Sequence, residues 1–136
     1  MIQAGYGRIL NMASTAAFQP GPLMSNYYAG KSFVLSFTEA ISIELNGTGV
    51  TAMALCPGPT KTGFEDRAEL GNSKLFTTLK VANSKKVAEF GYRKLMKGKT
   101  VAVHGLQNKL LVIGTKIASR SLIRNVMYHI QKESNG

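Results

Sequence analysis

The sequence predicts an α/β fold built on a parallel sheet, and three observations carry that expectation. Short apolar runs that open at a glycine or close at a Pro-Gly turn alternate with longer stretches of helical periodicity. The run VTAMALC at 50–56 crowds apolar residues onto both faces, as a strand covered from both sides requires. The order strand, helix, strand, helix, strand, helix then implies right-handed crossovers and parallel strands.

Each element has its own local cause. GRILNM at 7–12 is a short apolar run entered from a glycine, hence a buried strand. ASTAAFQPGP follows as a loop that the Gly/Pro cluster at 20–22 ends. Ser25 or Asn26 is placed to cap a helix running to about Leu45, with Asn46-Gly47 as its stop. Phe33, Val34, Phe37, Ala40, Ile41 and Leu45 suit a face packed on a sheet. After the 50–56 strand, Pro57-Gly58-Pro59 breaks the chain, and a polar segment from Thr60 to about Ala82 reads as a long loop with a short helix in it. A loop of that length in a compact domain is usually functional. SKKVAEFGYRKLMKG at 84–98 is a helix capped by Ser84 and stopped by Gly98, with Val87, Gly91 and Leu95 on one face. TVAVHG at 100–105 is the third strand, and 107–132 a basic amphipathic helix or helix pair interrupted near Gly114.

Composition narrows the function classes. The 136 residues suit one modest domain with an ordinary 44% apolar content. A single cysteine, Cys56, allows neither an internal disulfide nor a structural zinc site, and His104 and His129 lack metal-ligand spacing. No metal is expected. Cys56 reads as a buried structural thiol, and Met12, Met24, Met53 and Met96 as packing. Glu39 and Glu44, five apart on the same helix, read as surface or interface charges. No apolar run approaches the roughly 20 residues that span a bilayer, and MIQAGYGR has no secretory character, so a cytoplasmic location is expected.

The net charge of +10 is lopsided: residues 1–60 balance, while 61–136 hold 15 Lys or Arg against 5 acidic residues. Most of these lysines read as solvated helix faces. Without aromatic interleaving or a recognition-helix pattern, nucleic acid is not an expected partner. Contact of the basic tail with an anionic membrane surface ranks last among the partner readings.

The chemistry gathers in SNYYAGKSF at 25–33. Tyr27 and Lys31 stand four apart, one turn along a helix face; Tyr28, three from the lysine, is also within reach, and spacing does not choose between them. A phenol, ordinarily near pKa 10, exchanges protons at neutral pH only when a neighbouring cation favours its phenolate. Ser14 follows the first strand, and PGPTKT at 57–62 follows the second. In a parallel sheet both belong to the carboxyl edge, where ligands bind.

GRILNMAS, then YYAGK, then CPGPTKT resembles the second half of a short-chain dehydrogenase/reductase over roughly residues 5–105, and the basic tail resembles the end of a bacterial subgroup of uncharacterised oxidoreductases. The resemblance implies a partial Rossmann-like, doubly wound parallel sheet of three strands, lacking the N-terminal nucleotide-binding half. Residues 1–106 would be its C-terminal part, with a substrate lid at about 63–82, and 107–136 a basic helical segment. It makes Tyr27 the general acid/base and Ser14 the partner of the substrate oxygen. Lys31 becomes the modulator of Tyr27 and a donor to the nicotinamide ribose, and Pro57, Gly58, Thr60 and Thr62 become cofactor-loop positions. Tyr28 is left to packing, and Gly30 stands where the family often has serine. The implied activity is hydride transfer between NADP or NAD, NADP ahead, and a small carbonyl or alcohol substrate. The implied assembly is a homo-oligomer through the 25–45 helix.

The front of the family pattern is missing. No glycine-rich fingerprint, no residue selecting NAD from NADP and no tetrad Asn precede these motifs. A truncated, inactive or weakly active chain is therefore expected, with an open edge on its first strand. The alternative is a non-enzymatic interaction fragment that docks through the 25–45 helix.

Overall fold

The computed structural model describes residues 1–61 and 81–132. Strands β1 (Gly7–Met12), β2 (Val50–Cys56) and β5 (Val101–Val103) form one parallel sheet in the order β1-β2-β5. Gly7 pairs with Val50 and Met12 with Leu55; Ala54 pairs with Val101 and Cys56 with Val103. The strands β1 and β2 coincide with the runs 7–12 and 50–56, because short apolar stretches bounded by Gly and Pro leave little freedom in where pairing starts and stops.

Helices cover both faces, which makes the sheet doubly wound. Along β2, Ala54 and Cys56 turn to one side and meet Leu35 of helix α1 (Ser25–Glu44), together with Ala13 and Ala17. Met53 and Leu55 turn to the other and meet Val87 of helix α2 (Ser84–Met96) and Ala102 of β5. The two-residue period of a strand therefore feeds two cores from one segment. Helices α3 (Leu106–Ile117) and α4 (Arg120–Lys132) complete the described chain. Among the described residues β1 pairs on one side only, the edge position the sequence led us to expect.

Several local expectations are corrected. Helix α1 has no side-chain cap: Met24 stands at its N-cap position, preceded by Leu23 at φ 67°. Its buried positions are Tyr28, Leu35 and Thr38, whereas Phe33 is 69% exposed and stacks on Phe37 along an outward stripe. Leu35 and Thr38 lie three apart and Phe33 and Phe37 four apart, on different sides of the cylinder, and only one side meets the sheet. Asn83, not Ser84, caps α2, its carboxamide oxygen accepting from the N–H groups of Lys85 (2.9 Å) and Lys86 (3.3 Å). The break in the tail falls at Ala118–Ser119, where the Ser119 hydroxyl accepts from Leu122 N–H, and Gly114 continues α3.

After Pro57 the chain makes an excursion whose two ends are tied together. Strand β3 (Thr60–Lys61) pairs in parallel with β4 (Ala82–Asn83), Thr60 against Ala82 and Lys61 against Asn83. The expected lid at 63–82 lies outside the described residues except for Val81 and Ala82, and Thr62 lies outside them too.

Candidate active site at the carboxyl edge of the sheet

The loop leaving β1 is stitched to the end of β2. Ala13 N–H donates to the Leu55 carbonyl (2.9 Å) and Thr15 N–H to the Pro57 carbonyl (3.0 Å), which carries Ser14 across the sheet edge. Ser14 is buried at the start of a short 3-10 turn, Thr15–Phe18, and its Oγ accepts from Ala16 N–H (3.1 Å). That bond occupies one lone pair and leaves the hydroxyl proton to be donated elsewhere.

Helix α1 begins beside this loop. Lys31 Nζ donates to the Met12 carbonyl at 2.9 Å and lies 5.8 Å from the centre of the Tyr27 ring. A cation is thus held between the last residue of β1 and the tyrosine one turn back along the helix. The sequence left Tyr27 and Tyr28 unresolved on spacing, and the structure gives them different surroundings. Tyr27 is half-buried beside the ammonium. Tyr28 is 4% exposed, packs with Ala16, Ile123 and Met127, and accepts a hydrogen bond from Gln131 Nε2 at 2.9 Å. Burial pushes its phenol up to about 12, against the smaller lowering effect of its bond to Gln131. Gly21 lies against the Tyr28 ring so closely that a Cβ there would collide with it, which explains a glycine between two prolines. The two tyrosine rings meet edge to face, centres 5.9 Å apart.

The Pro57–Thr60 loop faces the same edge. Thr60 Oγ1 donates to the Gly58 carbonyl (2.9 Å), and the Pro59 carbonyl accepts from Ala82 N–H (2.9 Å). Gly58 is closely approached by a side chain: a Cβ would stand 2.5 Å from the Asn108 amide, which itself donates to the His104 carbonyl (2.8 Å). Cys56, fully buried, has its thiol pushed up to about 12, chiefly by desolvation, with Glu39 adding to it; it is a packed thiol, not a nucleophile at neutral pH. His104 is held neutral-leaning by burial and by Lys109, its ring edge-on to Phe90. Among the described residues no three His, Cys, Asp or Glu side chains gather as a metal would need.

Two side chains at this edge escaped the sequence reading. Gln131 reaches Tyr28 across 103 positions, and Asn108 wedges against Gly58 from the start of α3. Neither belongs to a local motif, so periodicity gave no signal for either.

Comparison with known proteins settles the family. The family model for short chain dehydrogenase matches residues 1–72, more than half of the chain. This chain belongs to the short chain dehydrogenase family. An NAD-dependent 2-dehydro-3-deoxy-L-rhamnonate dehydrogenase of Sphingomonas is 42% identical over 67 residues, covering 49% of this chain and 27% of that one. A 3-oxoacyl-(acyl-carrier-protein) reductase of Rickettsia prowazekii is 36% identical over 67 residues, covering 49% and 28%. Among solved structures, a 7beta-hydroxysteroid dehydrogenase superposes with TM-score 0.76 at 26% identity, over 92% of this chain and 49% of that one. A short-chain dehydrogenase from Sphingobium yanoikuyae in complex with NADPH does so with TM-score 0.65 at 26% identity, over 85% and 45%. The chain therefore spans under a third of the length of its curated relatives and about half of the solved ones. No described helix is long and apolar enough to cross a membrane.

Proposed function

We propose that this short-chain dehydrogenase segment carries the proton-transfer half of an NAD(P)-dependent oxidoreductase acting on a carbonyl or alcohol. The observation that carries the reading is Lys31, bonded to the end of β1 while its ammonium stands beside the Tyr27 ring.

In the reducing direction Tyr27 gives its phenolic proton to the carbonyl oxygen, and the negative charge that develops on the ring is balanced by Lys31. Ser14, its Oγ already accepting from Ala16 N–H, donates a hydrogen bond to the same oxygen and fixes it while keeping its own proton. In the oxidising direction the proton moves back. When bound, the nicotinamide supplies or takes the hydride at the substrate carbon.

The residues present fit one end of such a cofactor. A nicotinamide riboside needs polar backbone and a donor at the sheet edge, and the Pro57–Thr60 backbone with Lys31 offers both; Thr62 is a further cofactor position by the family pattern. The relatives and neighbours name both NAD and NADPH, and NADP stays ahead in our reading. A pyrophosphate needs a glycine-rich turn at a helix N-terminus, and no Gly-x-Gly-x-x-Gly occurs in the chain. This segment alone therefore holds the dinucleotide weakly, and tight stoichiometric NADPH binding by calorimetry would refute that. Joined to a glycine-rich half, it should lose turnover on Tyr27→Phe with cofactor affinity nearly unchanged; retained turnover refutes the assignment.

The outward stripe of α1 supports a second role. Phe33 and Phe37, stacked at 5.9 Å and exposed, with Ile43 exposed further along, suit helix-to-helix association with another copy. An oligomer that forms without nucleotide and is lost on Phe33→Asp, read by sedimentation velocity, is the expected result. A monomer throughout would remove this reading.

A further inference from the structure

Composition alone ranks membrane contact of the tail last, but the way α3 is mounted reverses that ranking. Asn108, Val112 and Thr115 form its inner side: Val112 is buried, Thr115 is half-buried and Asn108 packs on Gly58. Leu106, Leu110, Ile113 and Ile117 recur at four, three and four residues, so they share one narrow stripe away from that side. All four are exposed, from Ile113 at 52% to Ile117 at 82%. The sheet has no use for them, because α1 and α2 already cover its two faces and α4 turns Ile123 and Met127 onto Tyr28.

Charge selects the occupant. Lys109 and Lys116 follow one flank of the stripe, and the next helix, α4, carries Arg120, Arg124 and Lys132; all five are exposed. No Asp or Glu occurs between Glu89 and Glu133. A second copy presenting the same face would set cations against cations. A neutral apolar partner would leave the flanking charges unused. We propose that the outer face of α3, with the basic residues of α3 and α4 around it, lies flat on the surface of an anionic lipid bilayer. The apolar stripe enters the headgroup boundary, and the lysine and arginine stems reach sideways to lipid phosphates. This surface is distinct from the Tyr27–Lys31 edge, and the proposal stands whether or not that edge proves catalytic.

The test is co-sedimentation of this chain with vesicles of phosphatidylcholine alone or of phosphatidylcholine with phosphatidylserine. Binding is expected on the anionic vesicles, weakened strongly as salt shrinks the screening length from about 10 Å at 0.1 M to about 3 Å at 1 M. Leu110→Glu with Ile117→Glu should reduce it roughly tenfold or more, and Lys116→Gln with Arg120→Gln about fivefold for each charge removed. Tyr92→Ser, at an exposed position of α2, should leave it unchanged; circular dichroism confirms that each variant is folded. Equal binding to both vesicle types, no binding to either, or full binding by the charge variant overturns the proposal. Salt-sensitive capture of polyglutamate without vesicle binding also overturns it, and assigns the basic surface to an acidic polypeptide instead.

Discussion

The first turn of α1 sets two tyrosines side by side against one apolar cluster and buries them to different depths. On one face, Tyr27 is half-buried with a lysine ammonium beside its ring. On the other, Tyr28 is sealed between Gly21, Ala16 and α4, with a glutamine amide on its hydroxyl. The difference teaches what each task asks of a phenol. Proton exchange needs a nearby cation and a path to a substrate, whereas a packing tyrosine needs burial and one good partner for its polar end. Two consecutive residues on a helix point roughly 100° apart, enough to seal Tyr28 inside the cluster and leave Tyr27 at its margin beside Lys31.

The largest effect expected to separate the faces is Tyr27→Phe, which should lower turnover about 10²- to 10⁴-fold in the joined enzyme while leaving thermal stability nearly unchanged. Should Tyr28→Phe alone abolish turnover, the acid/base role moves by one residue. On the packed face, Gly21→Ala drives a methyl into the Tyr28 ring and should cost about 1–3 kcal/mol in a urea titration. An unchanged midpoint would mean that this ring is not fixed where we describe it.

Tyr28→Phe should cost about 1–2 kcal/mol, because it takes away the acceptor of the buried Gln131 amide. It should also alter the alkaline limb of stability. The Tyr28 phenol is raised from 10.0 to about 12 in the folded chain. Between those values the unfolded phenol has released its proton and the folded one keeps it. Stability attributable to Tyr28 is thus full below pH 10.0 and falls through pH 12, by about 1.4 kcal/mol per pH unit. Cys56, raised from 9.0 to about 12, adds a fall of the same sign that begins lower. Tyr28→Phe should therefore flatten the upper part of the curve only, and an identical slope in variant and parent would contradict the burial argument. The smallest effect is Gly30→Ala: the position is helical and exposed, with open space where a Cβ would go, so a gain of about 0.5–1 kcal/mol is expected. Loss of stability there would mean that the space beside Gly30 is occupied.

Much of the fold was legible because its signals are local. The apolar runs 7–12 and 50–56 and the Val87, Gly91, Leu95 spacing are short-range patterns, and they correspond to β1, β2 and α2. The two-sided apolar character of β2 foretold helices on both faces of the sheet. The apolar face of α1 was misassigned for an equally physical reason. Its sequence is apolar on more than one side, and periodicity alone does not say which side the sheet receives, so Phe33 and Phe37 were expected inside and stand outside. The caps of α1 and α2 depend on backbone angles at single residues, such as Leu23 at φ 67°, which residue preference does not fix.

The sequence by itself determined the strand–helix alternation, the placing of the Ser14 loop and the start of α1 at the carboxyl end of the first strand, and the concentration of positive charge after residue 60. Each follows from spacing along the chain and from which strand end a loop must leave. Only the tertiary structure decided which tyrosine is buried, that Gln131 and Asn108 close around the candidate site, and that the apolar stripe of α3 faces outward. Those outcomes depend on contacts between residues far apart in the chain, and close packing, not local preference, selects which of several apolar surfaces is covered.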